Sequence, residues 1–166
     1  MPRIVAEPLV LWGTKQAEAP TLPWSWAVDR LQETEDYWLV TCGPAGPTPR
    51  PVWGLWIEQR LVLSVGSKSH WRNLEASDRV AVHAGDAHDV VIVEGVARRE
   101  TDPAELGRIV EPYNQKYDWN WEPNQPYGPI LEVRPDVVLA WRAAPNEEAA
   151  TAAFPLAAGK WSFQPD

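Results

Sequence analysis

Tyr37-Trp38-Leu39-Val40-Thr41-Cys42, Arg50-Pro51-Val52-Trp53-Gly54-Leu55-Trp56-Ile57-Glu58 and Arg60-Leu61-Val62-Leu63-Ser64-Val65 follow one another closely enough to decide the fold. β-Branched and aromatic residues fill all three runs, which marks them as strands. Turn formers separate them: Gly43-Pro44-Ala45-Gly46-Pro47-Thr48-Pro49 after the first, and Glu58-Gln59 after the second. Connections this short cannot carry a crossover, so the three runs form an antiparallel meander.

Working outward, Gly66-Ser67-Lys68-Ser69-His70-Trp71-Arg72-Asn73-Leu74 begins a short helix that ends near Ser77. Arg79–His83 and Asp89–Val96 form a further hairpin, whose Val90-Val91-Ile92-Val93 run is too continuously apolar to have one wet face. Asp102-Pro103-Ala104-Glu105 is a capping box with proline at the first helical position, and Leu106, Ile109, Val110, Tyr113 and Tyr117 continue the helical stripe. Pro112 should kink or break that helix. Trp119 to Gly128 reads as a loop, followed by two strands, Ile130–Arg134 and Val137–Arg142. Upstream, Trp24, Ala27, Val28 and Leu31 give a helix after Pro23 one apolar face. Prolines 2, 8, 20 and 23 keep residues 1–22 an extended arm, residues 23–142 form the single domain, and residues 143–166 are a mobile tail up to Lys160-Trp161-Ser162-Phe163.

The bulk properties exclude several classes. A chain of 166 residues holds one ordinary core. A net charge of -8 disfavours nucleic acid as a partner, because affinity for a phosphate backbone needs many cations. One cysteine, Cys42, forbids an intrachain disulfide and fits a reducing cytoplasm; on a strand it reads as a small buried apolar residue. No run is long enough for a membrane span or a signal core. His70, His83 and His88 lack metal-ligand spacing, so no metal is expected.

The helix start after Val65 is the stretch with chemistry. Cations there oppose the positive end of the helix dipole by about 0.3–1 kcal/mol each, and no acid stands between Gln59 and Leu74. A phosphate docked on free backbone N–H groups removes the conflict, at about 1.5–3 kcal/mol for each charge-assisted hydrogen bond. The other reading is an ordinary helix end whose cations are simply solvated. Trp53 and Trp71 could stack on a planar ring, whereas Trp56 reads as core.

Taken in order, Tyr37–Thr41, Pro51-Val52-Trp53-Gly54-Leu55-Trp56, Leu63-Ser64-Val65-Gly66, Arg72-Asn73-Leu74, Arg79–His83 and Asp89–Gly95 resemble the pyridoxamine 5'-phosphate oxidase-like family. The resemblance runs from Asp36 to Arg142 and implies a mainly β fold with peripheral helices, a six-stranded antiparallel split β-barrel. It also implies a homodimer with a cofactor in each of two interfacial clefts, FMN or the 8-hydroxy-5-deazaflavin coenzyme. The ring would lie against Val52 and Trp53, with Ser64 and Gly66 nearby, and the phosphate at Ser67, Lys68, Ser69, His70, Arg72 and Asn73. The C-terminal tail would pack near the cleft. The implied activity is hydride transfer to or from a small organic substrate.

Three departures from the family pattern bear on that reading. His70 stands where many relatives have lysine, the Asp-Gly turns are absent, and the arginine-rich substrate site of true pyridoxamine phosphate oxidases has no counterpart. That particular oxidation is therefore disfavoured. The alternative is a non-catalytic split-barrel protein that holds a flavin or haem, the latter with His83 as a candidate ligand.

Overall fold

The computed structural model describes residues 2–11, 14–15, 20–122, 128–143 and 155–165. Its elements are β1 (Arg3–Glu7), β2 (Val10–Leu11), β3 (Thr14–Lys15), α1 (Trp24–Glu33), β4 (Asp36–Gly43), β5 (Gly46–Ile57) and β6 (Arg60–Ser64), followed by α2 (Lys68–Ala76), β7 (Arg79–Gly85), β8 (Asp89–Glu100), α3 (Pro103–Tyr117), β9 (Ile130–Arg142) and β10 (Ala157–Gln164). Hydrogen-bonded strands follow the order β9-β6-β5-β4-β7-β8, and β8 also pairs with β9, which closes six strands into an antiparallel barrel. The split-barrel expectation holds.

Backbone contacts group the chain into two compact units. Glu35–Val82 and Gly95–Arg134 make one of them and contain the meander, α2 and α3. Tyr37, Leu39, Leu61, Leu63, Val65, Leu131 and Val133 are buried there. Ile109, Val110 and Tyr113 of α3 pack on Leu55, Val62, Trp121 and Ile130. Asp102 caps α3 by accepting from the Ala104 N–H at 2.9 Å, as its sequence requires. Of the kink or break expected at Pro112, the break does not occur: α3 is continuous through it, with the bond to the Arg108 carbonyl given up.

The other unit is Met1–Thr34, His83–Glu94 and Pro135–Asp166. The N-terminal arm is partly strand, since β1 pairs with β10 from Arg3↔Gln164 to Glu7↔Lys160. Prolines 2 and 8 bracket β1, which lies at the end of the strand order, where a missing N–H is tolerated. Trp24 of α1 meets Trp161 and Phe163 of β10 with ring centroids 5.2 and 5.7 Å apart. The final residues are thus ordered by pairing with the first, while residues 144–154 of the expected mobile tail lie outside the described residues.

Two more expectations are corrected. Residues 46–49, read as turn, are the beginning of β5, with Gly43↔Gly46 closing a two-residue hairpin. Pro47, Pro49 and Pro51 alternate, so all three turn their missing N–H to one side, and β6 pairs with β5 only from Trp53 onward. The two expected terminal strands are one, β9. Pro135 falls after the pairing of Ile130–Val133 with β6 and before that of Val137–Arg142 with β10, so neither ladder loses a bond.

Two features of the β4–β5–β6 meander have consequences for function and stability. Pairs Asp36↔Trp53, Trp38↔Pro51, Val40↔Pro49 and Cys42↔Pro47 share the outward face, where Trp38 and Trp53 are 47 % and 48 % exposed. Cys42 is therefore exposed rather than buried, because its position in the alternation puts it on this face. The β5–β6 turn sets both Glu58 and Gln59 at positive φ, 50° and 61°, where L side chains are strained.

Candidate functional site

A cleft of about 450 Å³ opens beside the meander, lined by Asp36, Arg50, Pro51, Val52, Trp53, Ser64, Gly66 and Ser67. That volume lies within the range of small-molecule sites. Five of the ten residues named from sequence line it: Val52, Trp53, Ser64, Gly66 and Ser67. The register brings them together, since Trp53 faces Ser64 across the β5–β6 ladder and Gly66 and Ser67 follow directly from β6.

Ser67 stands at the N-cap position of α2 but does not cap it. Its hydroxyl lies 2.7 Å from that of Ser69, and the first turn of α2 holds no acid. The helix start therefore keeps its positive end uncompensated by its own side chains. Lys68 and Arg72 are exposed on the same helix and do not line the cleft.

His70 and Asn73 face the other way, into the protein. Asn73 Nδ2 donates to Thr41 Oγ1 and to Thr48 Oγ1, both at 3.0 Å, and Thr41 Oγ1 lies 2.9 Å from His70 Nδ1. One hydrogen joins Thr41 Oγ1 and His70 Nδ1, and His70 Nε2 has no hydrogen-bond partner among the described residues. Burial, reinforced by the positive charge of Arg50, lowers the His70 pKa. The imidazole is thus neutral at pH 7 and adds no charge at the helix start. Close packing against β4 also explains Gly43, where a side chain would enter the space of the Asn73 carboxamide.

Arg50 and Asp36 are cleft residues that sequence reasoning missed. Arg50 shares a strand face with Val52 by the two-residue period, a signal present in the sequence. Asp36 enters the cleft because it pairs with Trp53, which only the register reveals.

Three side chains of α3 hold the cleft wall from behind. Tyr113 Oη donates its one hydrogen to the Val62 carbonyl at 2.8 Å, with the Trp53 carbonyl sharing it at 3.3 Å. The Gly54 N–H donates to Tyr117 Oη at 2.8 Å, and Lys116 Nζ donates to the Gly54 carbonyl at 2.9 Å and to Tyr37 Oη at 3.1 Å. Trp53 meets Trp119 edge-on at 4.9 Å, and Trp119 stacks on Tyr117 at 4.7 Å. Burial raises the Tyr117 pKa to about 12 and lowers that of Lys116 to about 8. Both phenols remain protonated at neutral pH, since burial also raises Tyr37.

The other tryptophans divide. Trp56 is core, at 8 % exposure. Trp71 gives its indole N–H to the Val65 carbonyl at 2.8 Å and lies under Arg99, away from the cleft lining. His83 is half-buried with its pKa lowered by burial, opposed by Asp86. Among the described residues no group of three or more His, Cys, Asp or Glu could hold a metal ion. No described helix is long and apolar enough to cross a membrane.

No curated protein matches the chain in sequence. Solved structures do match in fold. An F420 reductase aligns with 22 % identity over 70 % of this chain and 98 % of that one, at a TM-score of 0.53. A conserved hypothetical protein from Mycobacterium tuberculosis aligns with 20 % identity over 80 % and 95 %, at 0.64. The FAD binding protein from Mycobacterium smegmatis aligns with 17 % identity over 87 % and 99 %, at 0.51. At these identities the likeness is one of fold. The family model described as pyridoxamine 5'-phosphate oxidase matches residues 27–142, which span the whole meander, α2 and α3. On that match, and on the closed six-stranded barrel that agrees with it, the chain belongs to the pyridoxamine 5'-phosphate oxidase family.

Proposed function

We propose that this protein is a flavin- or deazaflavin-dependent oxidoreductase that moves a hydride to or from a small organic molecule. The cleft carries the reading: one wall is the exposed face of Trp53 with Val52, and one end is the acid-free start of α2 with Arg50, Ser64, Gly66 and Ser67. A planar ring with a phosphorylated side chain fits both ends. The fold neighbours named as an F420 reductase and an FAD binding protein support the same class of ligand.

In this reading the cofactor, when bound, supplies hydride chemistry of its own, and the chain supplies binding and orientation. Val52 and Trp53 orient the ring through a backbone that α3 fixes. Ser67, Ser69 and the first N–H groups of α2 receive the phosphate, and Arg50 neutralises it. His70 and Asn73 act one layer behind, anchoring α2 to β4 through Thr41 rather than touching the phosphate. Lys68 and Arg72 contribute at longer range, from an exposed helix face.

A second copy of the chain belongs to this proposal. Trp38, Val40, Pro49 and Pro51 form a continuous outward apolar strip next to the cleft, with Trp38 nearly half exposed. An apolar strip rimmed by a ligand cleft is the surface a homodimer would bury.

The test is reconstitution. Purified protein is titrated with FMN, FAD and the 8-hydroxy-5-deazaflavin coenzyme at neutral pH, following the visible spectrum, and complexes that form are assayed for reduction of quinones and enones. Saturable binding with turnover is the expected result. Binding without turnover would favour the storage or sensing alternative, and binding of none would end the proposal.

A further inference from the structure

Gly54 lies one residue beyond the point where β4 starts, since Asp36↔Trp53 is the first pair of the β4–β5 ladder. On its β6 side Gly54 pairs with Leu63, but on the β4 side no strand residue is opposite it. Side chains from α3 take the place of that missing partner. Tyr117 Oη accepts from the Gly54 N–H and also reaches the Gly54 and Glu35 carbonyls, at 2.8 and 2.6 Å. Lys116 Nζ donates to the Gly54 carbonyl and to Tyr37 Oη, and sits 4.9 and 5.5 Å from the centroids of the Tyr37 and Tyr117 rings. One ammonium therefore ties β4, β5 and α3 together directly behind Trp53.

Resting on the reading of the cleft given above, we propose that Lys116 is a positioning residue, whose charged ammonium holds the Trp53–Gly54 wall in the conformation that accepts a planar ring. The geometry explains why a cation is needed at this position. A carbonyl and two aromatic faces all attract positive charge, and a neutral amine keeps neither ring attraction nor a strong bond to Gly54. The groups facing the ammonium are Tyr37 and Asp36 of β4, Glu35 just before it, the Gly54 carbonyl of β5 and Tyr117 of α3. Glu35 and Asp36 favour its charge and burial opposes it, with burial the larger influence. Lys116 consequently loses its proton near pH 8, well before an ordinary lysine.

Lys116→Met keeps the apolar stem and removes the charge, while Lys116→Arg keeps the charge at all accessible pH. The probe is FMN, with its affinity measured from pH 6.5 to 9.5 at constant salt. Wild type should lose roughly tenfold in affinity across pH 8, Lys116→Met should be about tenfold weaker at pH 7 with a flat profile, and Lys116→Arg should bind as wild type at pH 7 without the loss. A wild-type profile in Lys116→Met would overturn the proposal. Failure of FMN to bind wild type at all would count against FMN as the cofactor instead, and the positioning role is then read without ligand. The chain has four lysines, so selective 13Cε labelling gives a resolvable spectrum. The Lys116 signal should titrate near pH 8 together with the fluorescence lost in Trp53→Phe. A Lys116 midpoint above pH 10, or Trp53 emission that ignores it, would overturn the role.

Discussion

Thr41 Oγ1 lies 2.9 Å from His70 Nδ1 and accepts the Asn73 amide at 3.0 Å, which makes a buried histidine part of the joint between α2 and β4. Its lowered pKa sets a direction for stability. The unfolded chain takes up a proton near pH 6.5 and the folded chain only below that, so His70 makes stability fall as pH drops from about 6.5 toward the lowered value. Asn at this position can keep an acceptor for Thr41 and cannot titrate. The stability advantage of wild type over His70→Asn, from urea unfolding, should therefore shrink between pH 7 and pH 5. An advantage that stays constant would show that His70 titrates alike in the folded and unfolded chain, and one that grows would show that the fold favours its charged form.

Glu132 is 1 % exposed and pairs with Arg60 at 2.8 Å and Arg98 at 3.1 Å, with Arg134 also bonded to it. Burial alone would raise its pKa, but the bonds and charges of Arg134, Arg98 and Arg60 hold it below the usual range. Its contribution is present above about pH 4.5 and is lost as pH falls through the lowered folded value. Glu132→Gln should cost about 3 kcal/mol at pH 7, because the buried site loses its charge while the partly buried Arg60 and its neighbours Arg98 and Arg134 keep theirs. The double variant Glu132→Met with Arg60→Met should recover part of that loss in thermal unfolding. Equal stability of Glu132→Gln and wild type at pH 7 would contradict the pairing.

The turn at Glu58 and Gln59 stores strain, because both residues sit at positive φ and Gln59 Oε1 is buried without a partner among the described residues. Gln59→Gly should stabilise the protein by about 0.5–1 kcal/mol, seen as a higher denaturation midpoint at unchanged slope. A lower midpoint would mean that the glutamine side chain packs to greater effect than the strain costs.

The outward tryptophan of β4 tests assembly. Trp38→Glu should convert a dimer to a monomer in sedimentation analysis and weaken cofactor binding without unfolding the barrel. A wild type that sediments as a monomer at every concentration would remove the dimer from the account.

The sequence resolved what local chemistry controls. The Asp102 cap, the meander and the short α2 were legible because periodicity and turn formers operate within a few residues. β10 and β1 were not, since β1 is a strand only by pairing with β10 at the opposite end of the chain, and β10 lies between β1 and β9, which the sequence does not bring together. Pro47 and Pro49 read as a loop because the sequence does not say that their N–H side lacks a neighbouring strand. In the cleft, Val52, Trp53, Ser64, Gly66 and Ser67 were named through the family resemblance, and they line it together. Asp36 required the register, and the inward turn of His70 required the tertiary partner Thr41.

The central claim is that the cleft binds a phosphorylated planar ring, with its phosphate at the start of α2 beside Arg50. The most direct measurement is calorimetric titration of wild type and Arg50→Met with FMN and with riboflavin. Wild type should bind FMN more tightly than riboflavin, and Arg50→Met should lose about 1.5–3 kcal/mol for FMN with riboflavin nearly unchanged. Equal affinities for the two ligands, or equal losses in the variant, would contradict the account.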